Sequence, residues 1–313
     1  MTDSIDAAIL DALDAAGLSQ QMVAGVVGRA LAEDLADGPD VTTAATISAD
    51  QHGEADVVPR EAGVVAGLAV AAYAFAVVGE GRVRLQLLAT DGDIVHPQQV
   101  VLRASGPVRD LLTAERTALN LLTHLSGVAT LTRIWTDTIR ASNARIRDTR
   151  KTMPGLRALE KYAVRCGGGL NHRMSLSDAA LVKDNHIAAA GSVSKAFELV
   201  RTAAPGLPVE IEVDTVAECA EAIEAGAELI LLDNMKLAEL RSCVALAAAT
   251  GGRVKLEASG GLSLQIAAAV AGTGVDYLAV GALTHSAPVL DIGLDLRTAG
   301  RTDTAAMTLA GEG

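Results

Sequence analysis

From about residue 145 the sequence settles into a repeat that few folds can accommodate: a short apolar run, a turn, a helical stretch, and then the same again. The runs fall at 145–149, 179–183, 209–213, 229–233, 255–258 and 276–280, with helical patterns such as 216–225 and 262–271 between them. Several runs are apolar throughout, which is the pattern of parallel strands covered on both faces. Parallel neighbours need a crossover, and the intervening helices supply it. Six such units predict an α/β fold, either a compact β/α barrel or an open doubly wound sheet. The strand pattern alone leaves closure open.

Before about residue 128 the character differs. Residues 5–16 and 20–36 read as helices, 52–58 and 64–66 as short strands, and 82–89 as a half-buried alternating strand. Residues 99–104 read as another strand, and 113–140 as one or two long helices. This is an α+β pattern with an antiparallel sheet. Residues 62–79 hold no charged side chain, which reaches the lower limit for a membrane span. They are mostly Ala, Val and Gly, so a core helix over 68–79 is expected instead, with no membrane partner. A length of 313 residues fits one large domain or two ordinary ones.

Composition removes several functions. Aromatics are only 2% and the net charge is −12, which argues against nucleic acid as a partner. Cys166, Cys219 and Cys243 have no zinc-ligand spacing and are expected as buried, reduced thiols. Met1-Thr2-Asp3-Ser4 opens without a basic stretch before an apolar one, so a cytoplasmic location is expected.

Ligands of β/α barrels bind where the strands end. Those ends carry Thr149-Arg150-Lys151, Lys183, Glu212, Asp233-Asn234, Ser259-Gly260-Gly261 and Val280-Gly281-Ala282. Charges at the ends of apolar strands are costly unless they are paired or meet a ligand. A ring of structural salt bridges is the alternative. Residues 140–183 carry ten Lys or Arg against three Asp or Glu, inside an acidic chain, and this basic zone points to a specific anion. Within it Arg157, Lys161 and Arg165 are spaced four apart and read as a solvated helix face.

The Gly-rich turns could bring backbone N–H groups to phosphate, Ser259-Gly260-Gly261 from a helix expected to begin near Leu262. Glu212 and Asp233 are candidates for a metal, directly or through water, or for sugar hydroxyls; a Glu–Lys or Asp–Lys structural pair is the competing reading. Gly167-Gly168-Gly169 before Asn171-His172-Arg173 reads as a flexible loop at the site, with a helix C-cap as the plainer alternative.

In order along the chain stand Glu33-Asp34-Leu35, Arg60-Glu61-Ala62-Gly63, Glu115-Arg116 with Asn120, and His124-Leu125-Ser126-Gly127. Asp148-Thr149-Arg150-Lys151-Thr152 follows, then the three glycines with Asn171-His172-Arg173, and Lys183-Asp184-Asn185-His186. Glu210-Ile211-Glu212-Val213, Leu231-Leu232-Asp233-Asn234 and Glu257-Ala258-Ser259-Gly260-Gly261 complete the set. Together they resemble the quinolinate phosphoribosyltransferase family, also called nicotinate-nucleotide pyrophosphorylase (carboxylating).

The resemblance implies an N-terminal α/β sandwich domain over 1–127, rejoined by about 286–300. It implies an incomplete, about seven-stranded β/α barrel over 128–285; residues 301–313 read as a tail. It implies transfer of phosphoribosyl from phosphoribosyl pyrophosphate to quinolinate with decarboxylation, in NAD biosynthesis, with Mg²⁺. The assembly would be a homodimer or larger, with Arg116 entering the partner's site. Substrate positions would be Arg116, Thr149, Arg150, Lys151, His172, Arg173, Lys183, Glu212, Asp233, Ser259, Gly260, Gly261, Val280, Gly281 and Ala282. Arg116, Arg150 and Arg173, assisted by His172, would take the two carboxylates; Lys151, Lys183, Glu212 and Asp233 would serve the chemistry at the ribose and pyrophosphate. A nicotinate phosphoribosyltransferase needs fewer guanidinium forks, and a non-catalytic sensor of phosphate ligands would have lost one of the acids or lysines.

Overall fold

A computed structural model describes residues 5–36 and 38–298. The chain divides into two compact units, one of Met1–Gly127 with the chain from Val289, the other of Val128–Pro288. The first begins with α1 (Ala7–Ala15), α2 (Gln20–Leu35) and α3 (Val41–Thr46). Each starts where a short polar side chain accepts an end-of-helix N–H: Asp6 from Ala8, Ser19 from Met22 and Asp40 from Thr43. Then come β1 (His52–Pro59), β2 (Gly63–Val64), α4 (Leu68–Gly79), β3 (Arg84–Leu87), β4 (Ile94–Val95) and β5 (Leu102–Pro107).

The uncharged stretch is therefore part strand, part helix. Leu68 to Ala76 of α4 are all buried, so its small residues are those of a core helix. Gly67 caps it at φ 97°, where a side chain would strain the backbone and a Cβ would stand 2.7 Å from the Leu125 side chain. Among the described residues no helix is long and apolar enough to cross a membrane. α5 (Val108–Thr138) is one continuous helix rather than two, starting directly after Pro107.

The second unit alternates β6 (Arg145–Arg147), α6 (Arg157–Cys166), β7 (Ala180–Val182), α7 (Asp184–Ala190), α8 (Val193–Ala203), β8 (Val209–Val213), α9 (Val216–Glu224), β9 (Leu229–Asp233), α10 (Leu237–Ala248), β10 (Lys255–Ser259), α11 (Leu264–Ala271), β11 (Tyr277–Ala279) and α12 (Ala282–His285). The six strands form one parallel sheet in the order β6-β11-β10-β9-β8-β7. Arg147 also makes an isolated parallel bridge to Leu170, beyond α6. Register aligns the strand ends: Ser259 stands opposite Asp233, and Glu212 opposite Leu231. The last strand, β12 (Ile292–Thr298), lies in the first unit, antiparallel to β1 in a sheet ordered β12-β1-β5-β3. Residues 301–313 lie outside the described residues.

Three expectations need correction. Lys161 is fully buried, not on a solvated face: its Nζ meets Asp148, also buried, and donates to the His172 carbonyl at 2.9 Å. The three glycines are not a flexible loop. Gly167 caps α6, and Gly169 packs so closely that a Cβ would stand 2.7 Å from Val164. Cys219 and Cys243 are buried, but Cys166 is only half-buried.

Candidate active site

Side chains of a strand alternate between faces, so residues two apart share one. In the second unit this period gathers Leu181 and Lys183, Leu231 and Asp233, Glu257 and Ser259, with Glu212 and Ala279, around one cavity of about 370 Å³. Thr149, Arg150, Lys151, His172 and Arg173 complete its wall. The volume suits a small ligand. Ten of these thirteen residues are polar or charged, a lining that suits a polar ligand.

The cations are arranged in tension. Burial and the repulsion of Arg150 hold the Arg173 guanidinium below its ordinary value. Arg173 donates one Nη–H to the Ala179 carbonyl at 2.9 Å, but its Nε and that of Arg150 are buried without a hydrogen-bond partner among the described residues. Two like charges lining one cavity favour an anion there. Lys151 is set by its neighbours: its N–H reaches Thr149 Oγ1 at 3.0 Å and its carbonyl accepts from Thr284 Oγ1 at 2.7 Å.

Acids balance part of this charge. Lys183 Nζ lies 2.5 Å from Glu212 Oε2, with the lysine side chain 43% exposed and the carboxylate 14%. The pairing considered for Glu212 thus exists, but at the cavity mouth. Asp233 accepts from Asn234 Nδ2 at 2.6 Å. Beside it, burial and then the carboxylates of Asp233, Glu218 and Asp184 raise the Asp214 carboxyl above its ordinary value.

At the cavity wall, and partly behind it, lies a buried cluster that the sequence shows only as motif. Glu210 and Glu257 are buried there with His172, one ligand-type atom of each lying within 4.8 Å of the others. Glu257 meets Arg147, which also stacks 4.9 Å from the Tyr277 ring centre. Burial first, then the charge of Glu210, push the Glu257 carboxyl up to about 8. The available signal was an acid two residues before a strand-end position, Glu210 before Glu212 and Glu257 before Ser259, on the same side of the strand.

The remaining candidates are spread. Gly260 (φ 84°) and Gly261 (φ 57°) do not line the cavity; Gly260 presses on Asn234, where a Cβ could not fit. The following helix starts at Leu264, so these glycines precede its N-terminus by a turn instead of forming it. Gly281 lies beside Lys151, so that a Cβ there would stand 3.2 Å from the lysine Cδ, and Val280 is buried. Ala282 opens α12. Arg116 belongs to the other unit, on α5, with its side chain 64% exposed and bonded to Glu115.

Family models match both parts of the chain: quinolinate phosphoribosyl transferase, N-terminal domain, over residues 40–126, and its C-terminal domain over 128–295. The chain is 52% identical over 271 residues to the nicotinate-nucleotide pyrophosphorylase [carboxylating] of Mycobacterium leprae, covering 86% of this chain and 95% of that one. It is 43% identical over 265 residues to a probable enzyme of the same name from Bacillus subtilis, covering 84% and 90%. Among solved structures, NadC from Streptococcus pyogenes superposes with a TM-score of 0.85 at 40% identity, over 90% of this chain and 99% of that one. By both of its domains, the chain belongs to the quinolinate phosphoribosyl transferase family.

Proposed function

We propose that the second unit is an incomplete barrel, with the Leu170 segment as a seventh strand, whose mouth joins quinolinate to phosphoribosyl pyrophosphate. The products are nicotinate mononucleotide, pyrophosphate and CO₂, a step of de novo NAD biosynthesis. One observation carries the reading: Arg150 and Arg173 line the same cavity and repel one another. A dicarboxylate supplies the missing negative charge and planar acceptors for both guanidinium forks.

The chemistry then needs little covalent help. The arginines hold the pyridine with its nitrogen toward C1 of the ribose, and positioning of this kind accounts for much of a transfer rate. Lys151 and Lys183 stabilise charge developing on the departing pyrophosphate. Glu212 and Asp233 hold ribose hydroxyls and the Mg²⁺ that accompanies the pyrophosphate; hard carboxylate oxygens fit that ion, directly or through its waters. Bound there, Mg²⁺ neutralises phosphate charge. The nitrogen becomes cationic when it bonds to the sugar. The C–CO₂ bond beside it then breaks easily, because the electron pair left on carbon is next to positive charge, and a proton takes its place. The backbone of Ser259, Gly260 and Gly261, with Val280, Gly281 and Ala282, serves the 5′-phosphate. Arg116 completes the site of a partner subunit in a homodimer or larger assembly.

The test is direct. Quinolinate, phosphoribosyl pyrophosphate and Mg²⁺ added to the protein should release CO₂ and pyrophosphate in equal amounts, and EDTA should stop both. Pyrophosphate without CO₂, with nicotinate as the preferred acceptor, would overturn the dicarboxylate reading.

A further inference from the structure

Both ring nitrogens of His172 find partners within the protein. The backbone N–H of Arg173 donates to His172 Nδ1 at 2.7 Å. A ring nitrogen that accepts holds no proton, so the imidazole proton sits on Nε2. That nitrogen lies 2.7 Å from Glu210 Oε2, with both side chains buried. The histidine's main chain is equally occupied: its N–H donates to Asp148 Oδ1 at 2.8 Å, and its carbonyl accepts from Lys161 at 2.9 Å. Every polar atom of His172 is spent inside the protein, none on the cavity it borders.

What this arrangement fixes is the next residue. With Nδ1 obliged to accept, the Arg173 backbone is tied to the ring, and the guanidinium starts from a set position. Only the Nε2–H tautomer does this. The other tautomer would point a ring N–H at the Arg173 N–H, donor against donor. Glu210 selects between them, because a carboxylate beside Nε2 accepts and cannot donate. We propose that Glu210 is a positioning residue for Arg173, acting through the tautomer of His172. For the identity of the anion that Arg173 meets, this rests on the quinolinate reading above.

The full-length protein, ¹⁵N-labelled at its six histidines, reports the tautomer by NMR, with a His172→Asn sample to assign the signal. Wild type and Glu210→Gln should show a bare Nδ1 and a protonated Nε2, since the glutamine amide can turn its oxygen to the ring and keep an acceptor beside Nε2. Glu210→Leu should show a mixture of tautomers. Calorimetry should find quinolinate binding weakened roughly 10- to 100-fold in Glu210→Leu, the loss expected for one hydrogen bond that orders a charged group. Pyrophosphate–Mg²⁺ binding should change less than threefold, and Glu210→Gln should regain most of the quinolinate affinity. A protonated Nδ1 in wild type overturns the proposal, as does equal weakening toward both ligands. If Glu210→Leu does not fold, Glu210→Ala takes its place: a mixture of tautomers with selectively weakened quinolinate binding is expected, and an unchanged tautomer overturns the proposal. If wild type fails to bind quinolinate at all, the functional reading falls, and the tautomer measurement still decides the role of Glu210.

Discussion

Replacing Lys161 by Met should destabilise the second unit by about 3–5 kcal/mol, the cost of breaking a buried ion pair by removing one partner. Methionine keeps the apolar stem of the side chain, so the change isolates the ammonium. That ammonium meets Asp148 and the His172 carbonyl, both shielded from water. Burial already raises the Asp148 carboxyl and lowers the Lys161 amine relative to their ordinary values, so neither tolerates being left alone. Asp148 retains donors from Asn171 Nδ2 at 2.5 Å and the His172 N–H at 2.8 Å, which favours the lower end of the range. The chain has one tryptophan, Trp135, buried in the same unit, and its fluorescence follows unfolding in urea there. With a slope of about 2 kcal/mol per molar, the midpoint should fall by roughly 1.5–2.5 M. Adding Asp148→Asn should recover a large part of the loss, because no lone charge then remains buried. A single Lys161→Met variant within about 1 kcal/mol of wild type would refute the reasoning.

Three further outcomes are expected. Glu257 holds its proton up to about 8 when folded against 4.5 ordinarily, so its stabilisation is complete below 4.5 and lost as pH rises through about 8. Wild-type stability should therefore decline across pH 5–8, by on the order of 3–5 kcal/mol from this group, and Glu257→Gln should flatten that slope; parallel slopes would contradict the assignment. Gly260→Ala forces a side chain onto φ 84° against Asn234, which should cost about 1–3 kcal/mol and raise KM for phosphoribosyl pyrophosphate; an unchanged KM would remove that turn from the phosphate site. Lys151→Ala should lose about 2–4 kcal/mol of transition-state stabilisation in kcat/KM, and activity within a few-fold of wild type would exclude its role.

Much of the second unit was legible because parallel strands are read from apolar runs. The strands expected at 209–213 and 229–233 are Val209–Val213 and Leu229–Asp233. Short strands such as Tyr277–Ala279 were expected too long, because a strand's hydrogen bonds end before its apolar pattern does. In the first unit the two-residue β4 has no pattern of its own and exists through pairing with β2, whereas β12 does alternate, Ile292, Leu294 and Leu296 with Asp295 and Arg297, and only its partner is set at long range, as Val57 with Leu294 shows. The cavity wall was readable as strand-end charge. The buried cluster at and behind it was not. Lys161 sits at helical spacing with Arg157 and Arg165, and nothing local distinguishes a solvated lysine from one that tertiary packing has enclosed with Asp148. The tautomer of His172 likewise depends on a backbone N–H and a carboxylate from another strand.

The central claim is that one cavity takes a dicarboxylate and a pyrophosphate together. Crystals grown with phthalate, pyrophosphate and Mg²⁺ examine it most directly. Both anions should lie in the same cavity, phthalate between Arg150 and Arg173, and pyrophosphate against Lys151 and Lys183. Phthalate bound elsewhere on the chain, or displaced whenever pyrophosphate is present, would contradict it.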